Sequence, residues 1–182
     1  MLVALERKPF AKSLQGPRLV LMRAQAEHAK ALWPSVLRDR ELRGLSWPQI
    51  ESFEEFQNYF EESDSEMPKS EVVYVLFKDG AAIGTLHIFS FSYPNHRVEI
   101  GYGIEQTYEG QGLVSEAIAL AEGELRSLGF NRLEIRCDAT NKRSVALAKR
   151  NHFVQEAYLK QECIEDGKYR DTLIFAKFLQ SK

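Results

Sequence analysis

The sequence predicts a mixed α/β (α+β) fold: a mostly antiparallel sheet of about seven strands with one central parallel pair and flanking helices. Three observations predict it. Alternating apolar runs recur from residue 71 onward. Two of them, residues 72–78 and 81–92, flank Asp79 and Gly80, a dipeptide suited to the tight turn of a hairpin. Between residues 97 and 138 a strand, a helix and a strand follow one another. Two strands joined by such a crossover lie parallel.

Residues 1–16 show no sustained period and end at Gly16 and Pro17, so they read as an N-terminal leader, lying on the surface or partly disordered. Order is expected from Arg18, with one domain over residues 17–182. Residues 19–22 read as the first strand. Residues 24–37 carry helix formers with Ala29, Leu32, Trp33 and Val36 at helical spacing, and Pro34 is expected to kink or split that helix. Residues 51–66 form a second helical candidate, with Phe53, Phe56, Tyr59 and Phe60 on one face and seven acids but no base elsewhere. That acidic face reads as a solvated surface or as an attraction for a cation. In residues 97–104 the apolar side of the alternation holds Val98, Ile100, Tyr102 and Ile104. Val114, Ala117, Ile118, Ala121, Leu125 and Leu128 mark one helical stripe, closed by Gly129 and Phe130 as a left-handed helix end requires. Residues 133–137 are a short strand, residues 142–150 a short helix with Asn141 as N-cap, and residues 153–164 with 168–179 a hairpin around Asp166 and Gly167.

Composition excludes several function classes. The chain has 182 residues, 44% of them apolar, enough for a core. With 24 Lys and Arg against 26 Asp and Glu, it has no overall field to hold a polyanion, so bulk nucleic-acid binding is disfavoured. The longest apolar run, residues 72–77, is far short of the ~20 needed to cross a bilayer. No signal-peptide pattern opens the chain, which points to the cytoplasm. Cys137 and Cys163 stand alone, without a CxxC or a Cys/His cluster, so neither a disulfide framework nor a metal site is implied. Free, mostly buried thiols are expected.

The chemistry concentrates between a strand and a helix, at residues 106–114. Gly110 and Gly112 let the main chain turn tightly beside a ligand, and the helix that follows points unpaired N–H groups outward, a geometry suited to pyrophosphate. Two glycines alone describe a mere turn equally well. A P-loop would need Lys and Ser or Thr after Gly112, where Leu113 and Val114 stand. A dinucleotide fingerprint would need a third glycine after Gly101 and Gly103, where Gln106 stands.

Several segments occur in order on the right elements: Val98-Glu99-Ile100-Gly101-Tyr102, Tyr108-Glu109-Gly110-Gln111-Gly112, Ser115-Glu116-Ala117, Leu128-Gly129-Phe130, Asn141-Lys142-Arg143-Ser144 and Gly167-Lys168-Tyr169-Arg170-Asp171. Together they resemble the GNAT superfamily of acetyl-CoA-dependent N-acetyltransferases, and within it the RimJ/RimL type. The resemblance implies the GNAT fold and acetyl-CoA as co-substrate. The pyrophosphate would rest on Glu109, Gly110, Gln111, Gly112, Leu113 and Val114, mainly through main-chain N–H groups. Glu109 and Val114 depart from the family's usual side chains there. Tyr102, Gly103 and Ile104 would line the pantetheine and offer an N–H to the oxyanion. Asn141 would bond the pantetheine arm and Ser144 would protonate the departing thiolate; as local structure the two read as a cap and its first turn. No tyrosine occurs between residues 139 and 157 to replace Ser144 as the acid.

An amine must be neutral to attack, and an α-amine with a pKa near ~8 needs only a modest base. Glu99 fits, on the polar side of its strand, although a cross-strand ion pair describes it as well. His87 is the runner-up. Lys142, Arg143, Lys149 and Arg150 could meet the 3′-phosphate or form a solvated face. The acceptor, a protein or peptide N-terminal α-amine or a small amine, is expected between residues 43–47 and the strand face near His87 and Tyr93. Two other readings stay open: a coenzyme A-binding module without turnover, and a protein-interaction domain using the acidic helix. An open sheet edge is compatible with a homodimer.

Overall fold

The computed structural model describes residues 3–43, 50–64, 70–165 and 167–180. Its strands are β1 Ser13–Gln15, β2 Val20–Arg23, β3 Glu71–Lys78, β4 Ala81–Ser92, β5 Arg97–Ile104, β6 Arg132–Asp138, β7 Val154–Glu165 and β8 Lys168–Phe178. The helices are α1 Ala26–Arg43, α2 Phe53–Ser63, α3 Leu113–Ser127 and α4 Lys142–Arg150, with a 3-10 turn at Gln106–Tyr108. One sheet runs in the order β1-β2-β3-β4-β5-β6-β8-β7. Its β5–β6 pair is parallel and every other pair is antiparallel.

The sheet has eight strands rather than about seven, because order begins before Arg18. β1 pairs with β2 from Ser13 against Met22 to Gln15 against Val20. Ahead of it the Tyr74 hydroxyl donates to the Ala11 carbonyl at 2.8 Å, and the Ala11 N–H donates to Glu124 at 2.7 Å. Phe10 is buried against Phe91. A three-residue strand is too short to show a period, so these nonlocal contacts leave no pattern in the sequence.

Asp79 and Gly80 turn β3 into β4 with φ of 51° and 80°, the doubly positive geometry of a type I′ turn. Val72, Val73, Tyr74, Val75 and Leu76 are all buried because helices cover both faces of β3. On one face α3 lays Leu113, Ala117, Ile118, Ala121 and Leu125 against Val72, Tyr74, Leu86, Ile88, Val98 and Ile100. On the other, Leu32 of α1 and Phe56 and Phe60 of α2 pack over Val73 and Val75. α1 continues through Pro34 instead of splitting there. α2 starts at Phe53, set by a capping box in which Ser52 and Glu55 bond each other's main-chain N–H groups. Gly129 at φ 92° and His152 at φ 65° take the left-handed turns that end α3 and α4.

The expectation of mostly buried thiols is corrected: Cys137 is half-buried and Cys163 exposed, and both are free. Cys163 lies on β7 beside its register shift, at the sheet's outer edge. No described helix is long and apolar enough to cross a membrane.

β4 leaves no room for a side chain at Gly84, against β5. A Cβ there would fall 2.3 Å from the Gly103 carbonyl oxygen and 2.9 Å from the Ile104 Cα, both main-chain atoms that cannot turn aside. Gly84→Ala is therefore expected to cost at least about 1–3 kcal/mol, the usual range for overpacking. Chemical denaturation checks it; a variant as stable as the parent would show that the two strands can separate freely.

Candidate active site

β5 and β6 part almost as soon as they meet. They pair only at Arg97 with Arg132, Val98 with Leu133 and Glu99 with Glu134. Beyond that rung β5 stays on β4 to Ile104, while β6 stays on β8 to Asp138. Among the described residues, the β6-facing edge of β5 then has no strand partner. Such main-chain groups are unpaired donors and acceptors open to a ligand.

One face of the sheet sends three side chains to this opening. The Tyr102 and Ser144 hydroxyl oxygens lie 2.8 Å apart, with the Cys137 thiol beside Ser144. Burial pushes the Tyr102 phenol up to about 12, with the Ser144 hydrogen bond working against it. Burial likewise raises the Cys137 thiol. Ser144 is buried at the start of α4, where its N–H donates to the Asn141 side chain at 3.1 Å. Asn141 thus caps α4 as the sequence predicts. The Tyr102 hydroxyl was not foreseen. Alternation puts it on the buried side of β5, but nothing local in sequence brings α4 over that position.

The opposite face carries Glu99, Gly101 and Gly103, in register with Phe89, His87 and Thr85. Glu99 is half-buried, back to back with buried Val98 and Ile100. Burial raises its carboxyl above the ordinary value, Glu134 adds to the shift, and Arg136, Arg97 and Ser90 oppose it. Ser90 reaches it from a break in the β4–β5 register, at φ 54°. Glu99 therefore sits at the opening, while the arginines near it pair with other carboxylates, Arg97 with Glu134 and Arg136 with Glu162.

His87, the other base candidate, is buried in a network. Its Nδ1 lies 2.9 Å from Glu71 and 3.0 Å from the Tyr59 hydroxyl, which itself donates to Glu71 at 2.7 Å. Its Nε2 lies 2.9 Å from Thr85 Oγ1. A neutral ring with its proton on Nδ1, donating to Glu71 and accepting from Thr85, satisfies these contacts. Burial lowers the His87 pKa, against the pull of Glu71. Both ring nitrogens have partners within the protein. Residues 44–49, most of the expected wall of the acceptor pocket, lie outside the described residues.

The glycine loop has the predicted conformation. Gly110 and Gly112 take φ of 74° and 76°, where an L side chain is strained. Gly112 begins α3 without a side-chain cap. Among the described residues, no protein acceptor takes the N–H groups of Gly110, Gln111, Gly112, Leu113 or Val114. They are free to converge on an anion at the positive end of α3. Leu113 is buried and Val114 packs against the core, so neither blocks them. Glu109 is ion-paired with Arg143 at 2.6 Å, which offsets the charge it brings toward a phosphate. Lys142, Lys149 and Arg150 are exposed. Arg18 donates to the carbonyls of Gln111 at 2.8 Å and Gly112 at 3.4 Å. Sequence reasoning missed it, since a lone arginine after Gly16 and Pro17 carries no local signal.

An anion cradle, an unpaired strand edge, a hydroxyl pair on one face and a carboxylate on the other suit acyl transfer from a phosphate-bearing carrier. Comparison with known proteins agrees. The family model described as Acetyltransferase (GNAT) domain matches residues 18–154. A ribosomal-protein-serine acetyltransferase of Escherichia coli (strain K12) is 28% identical over 85% of this chain and 89% of its own length. A structure of RimL, a ribosomal alpha-N-protein acetyltransferase in complex with coenzyme A, superposes with a TM-score of 0.84 at 27% identity, covering 91% of this chain and 97% of that one. An acetyl transferase from Salmonella typhimurium that modifies the N-terminal serine of a 50S ribosomal subunit protein gives 0.82 at 27% identity, covering 90% and 96%.

The raised carboxyl of Glu99 has a consequence for stability. A group whose folded pKa lies above its unfolded value favours the fold while protonated, and that contribution is lost as pH rises through the folded pKa. Glu99→Gln should therefore gain stability relative to the parent as pH rises from about 4 to about 7. Melting temperatures of both proteins across that range test it; a constant difference would mean that Glu99 is as well solvated folded as unfolded.

Proposed function

The chain belongs to the GNAT acetyltransferase family and is an N-acetyltransferase that uses acetyl-CoA; on that premise we propose that its acceptor is the N-terminal α-amine of a protein. The observation that carries this reading is the parting of β5 from β6, which opens one slot to groups on both faces of the sheet. Likeness to alpha-N-protein acetyltransferases over most of the chain supports the protein acceptor. So does Glu99 on the acceptor face, a carboxylate placed for an ammonium, since Glu134 beside it is held by Arg132 and Arg97 and Glu71 by Tyr59 and His87.

In this reading the N–H groups of Gly110, Gln111, Gly112, Leu113 and Val114 hold the pyrophosphate, and Asn141 with the free edge of β5 holds the pantetheine. Glu99, directly or through water, takes a proton from the α-ammonium. The neutral nitrogen attacks the thioester carbonyl, and an N–H among Tyr102, Gly103 and Ile104 stabilises the oxyanion. As the tetrahedral adduct collapses, the C–S bond breaks and Ser144 protonates the thiolate. The adduct nitrogen gives up its second proton through water, and Tyr102, in hydrogen-bond contact, relays a proton from solvent back to Ser144; Glu99 releases its own to solvent, so one proton is set free for each acetyl transferred. No covalent enzyme intermediate forms. The reaction belongs in the cytoplasm, and the open edge of β7 offers a surface for a homodimer.

Thiol release from acetyl-CoA in the presence of peptides tests the reading. Peptides with a free N-terminus should turn over, and the same peptides blocked there should not. Turnover of blocked peptides through lysine would remove the α-amine assignment, and tight coenzyme binding with no acceptor at all would favour a non-catalytic module. Ser144→Ala should lower kcat about 10²-fold, within the usual worth of a general acid, with little change in KM for acetyl-CoA. An unchanged rate would acquit Ser144.

A further inference from the structure

Arg18, the residue before the first buried position of the β2 approach, is bound on three sides. Its Nε donates to Glu116 Oε2 at 2.7 Å, and its main-chain N–H donates to Glu116 Oε1 at 2.9 Å. One terminal nitrogen donates to the Gln111 carbonyl at 2.8 Å, and the other approaches the Gly112 carbonyl at 3.4 Å. Glu116, one turn into α3, is nearly buried while Arg18 is half-exposed. Gly16 leaves the room this needs, since a Cβ there would fall 2.7 Å from Glu116 Oε1.

We propose that Arg18, locked by Glu116, is a positioning residue that sets the pyrophosphate cradle through the carbonyls of Gln111 and Gly112; this rests on the reading of residues 110–114 given above. The physical link is the trans peptide unit, which is planar and points its C=O and the next residue's N–H in opposite directions. Holding the Gln111 carbonyl on the Arg18 side turns the Gly112 N–H to the far side. Holding the Gly112 carbonyl does the same for the Leu113 N–H. Both are among the N–H groups that no described protein atom accepts. The Gly112 carbonyl also accepts from the Glu116 N–H at 3.1 Å, so the first turn of α3 helps set that plane, whereas the Gln111 carbonyl is fixed by Arg18; glycines make the loop pliable, and without this clamp the Gln111–Gly112 plane could rotate and scatter its donor. A cationic donor on each carbonyl also polarises the peptide and strengthens the opposite N–H toward an anion. Arg18 acts from behind the main chain and touches neither the reacting atoms nor the acceptor face.

The fork of a guanidinium is required, because an ammonium cannot span Glu116 and two carbonyls together. The test compares acetyl-CoA with acetyl-pantetheine, which keeps the thioester and amides but lacks the pyrophosphate. Arg18→Ala should raise KM for acetyl-CoA about tenfold, the scale of one charge-assisted hydrogen-bond contribution, with kcat at saturation nearly unchanged. Arg18→Lys should show the same loss. In both variants kcat/KM for acetyl-pantetheine should stay at the parent value, which a merely misfolded variant would not do. An unchanged KM for acetyl-CoA, a full recovery in Arg18→Lys, or an equal fall with both donors would overturn the proposal. If the parent itself uses the two donors equally well, the pyrophosphate cradle fails, and Arg18 with it.

Discussion

A parallel strand pair that closes for three rungs and then opens is the constraint from which the site follows. β5 cannot turn toward β6, because it pairs with β4 through Ile104 and packs its main chain against Gly84. β6 cannot turn toward β5, because β8 holds it through Asp138. Two antiparallel halves of the one sheet thus diverge from a common rung at Glu99 and Glu134. Strand alternation then assigns chemistry to faces. Even-numbered Tyr102 meets Ser144 on the α3 and α4 side, while Glu99 looks out on the α1 and α2 side. A single slot so gives access to a hydroxyl pair on one side and a carboxylate on the other without either crossing the sheet.

The start of α3 shows how packing leaves donors available for a ligand. α2 and α4 are capped by Ser52 and Asn141, whose side chains occupy first-turn N–H groups. α3 begins at Gly112, which has no side chain to offer. A polar cap would add about 1 kcal/mol to the helix but would compete for donors the ligand needs. Leu113, Ala117, Ile118, Ala121 and Leu125 are buried, each larger one worth roughly 1.5–3 kcal/mol of removed apolar surface, and they hold the helix in place without that cap. Arg18 and Arg143 bind the loop from outside, on its carbonyls and on Glu109.

The strongly periodic elements were legible. The stripe of α3, the Asp79 and Gly80 turn, the crossover demanding a parallel pair, and Asn141 as a cap each rest on neighbours within a few residues. β1 was not, since three residues show no period. The Ser52 and Glu55 capping box stands openly in the sequence and would have set the start of α2 two residues later than hydrophobic spacing did. The loop and Ser144 were legible as motif positions. The Tyr102 hydroxyl, the Glu71 and Tyr59 partners of His87, and the Arg18 clamp were not, because each depends on residues 12 to 98 positions apart.

By itself the sequence determined the local events: where helices start and stop, which strand face is apolar, and where glycines free the main chain, because those preferences act over one turn or one strand rung. Tertiary structure alone decided how far β5 and β6 stay together, that His87 is engaged on both nitrogens, and that an arginine at the edge of the sheet reaches the loop before α3. The physical reason is that these outcomes are set by packing between segments whose relative placement emerges only when the whole core closes, and a hydrogen bond across such distances leaves no periodic trace in either partner's neighbourhood.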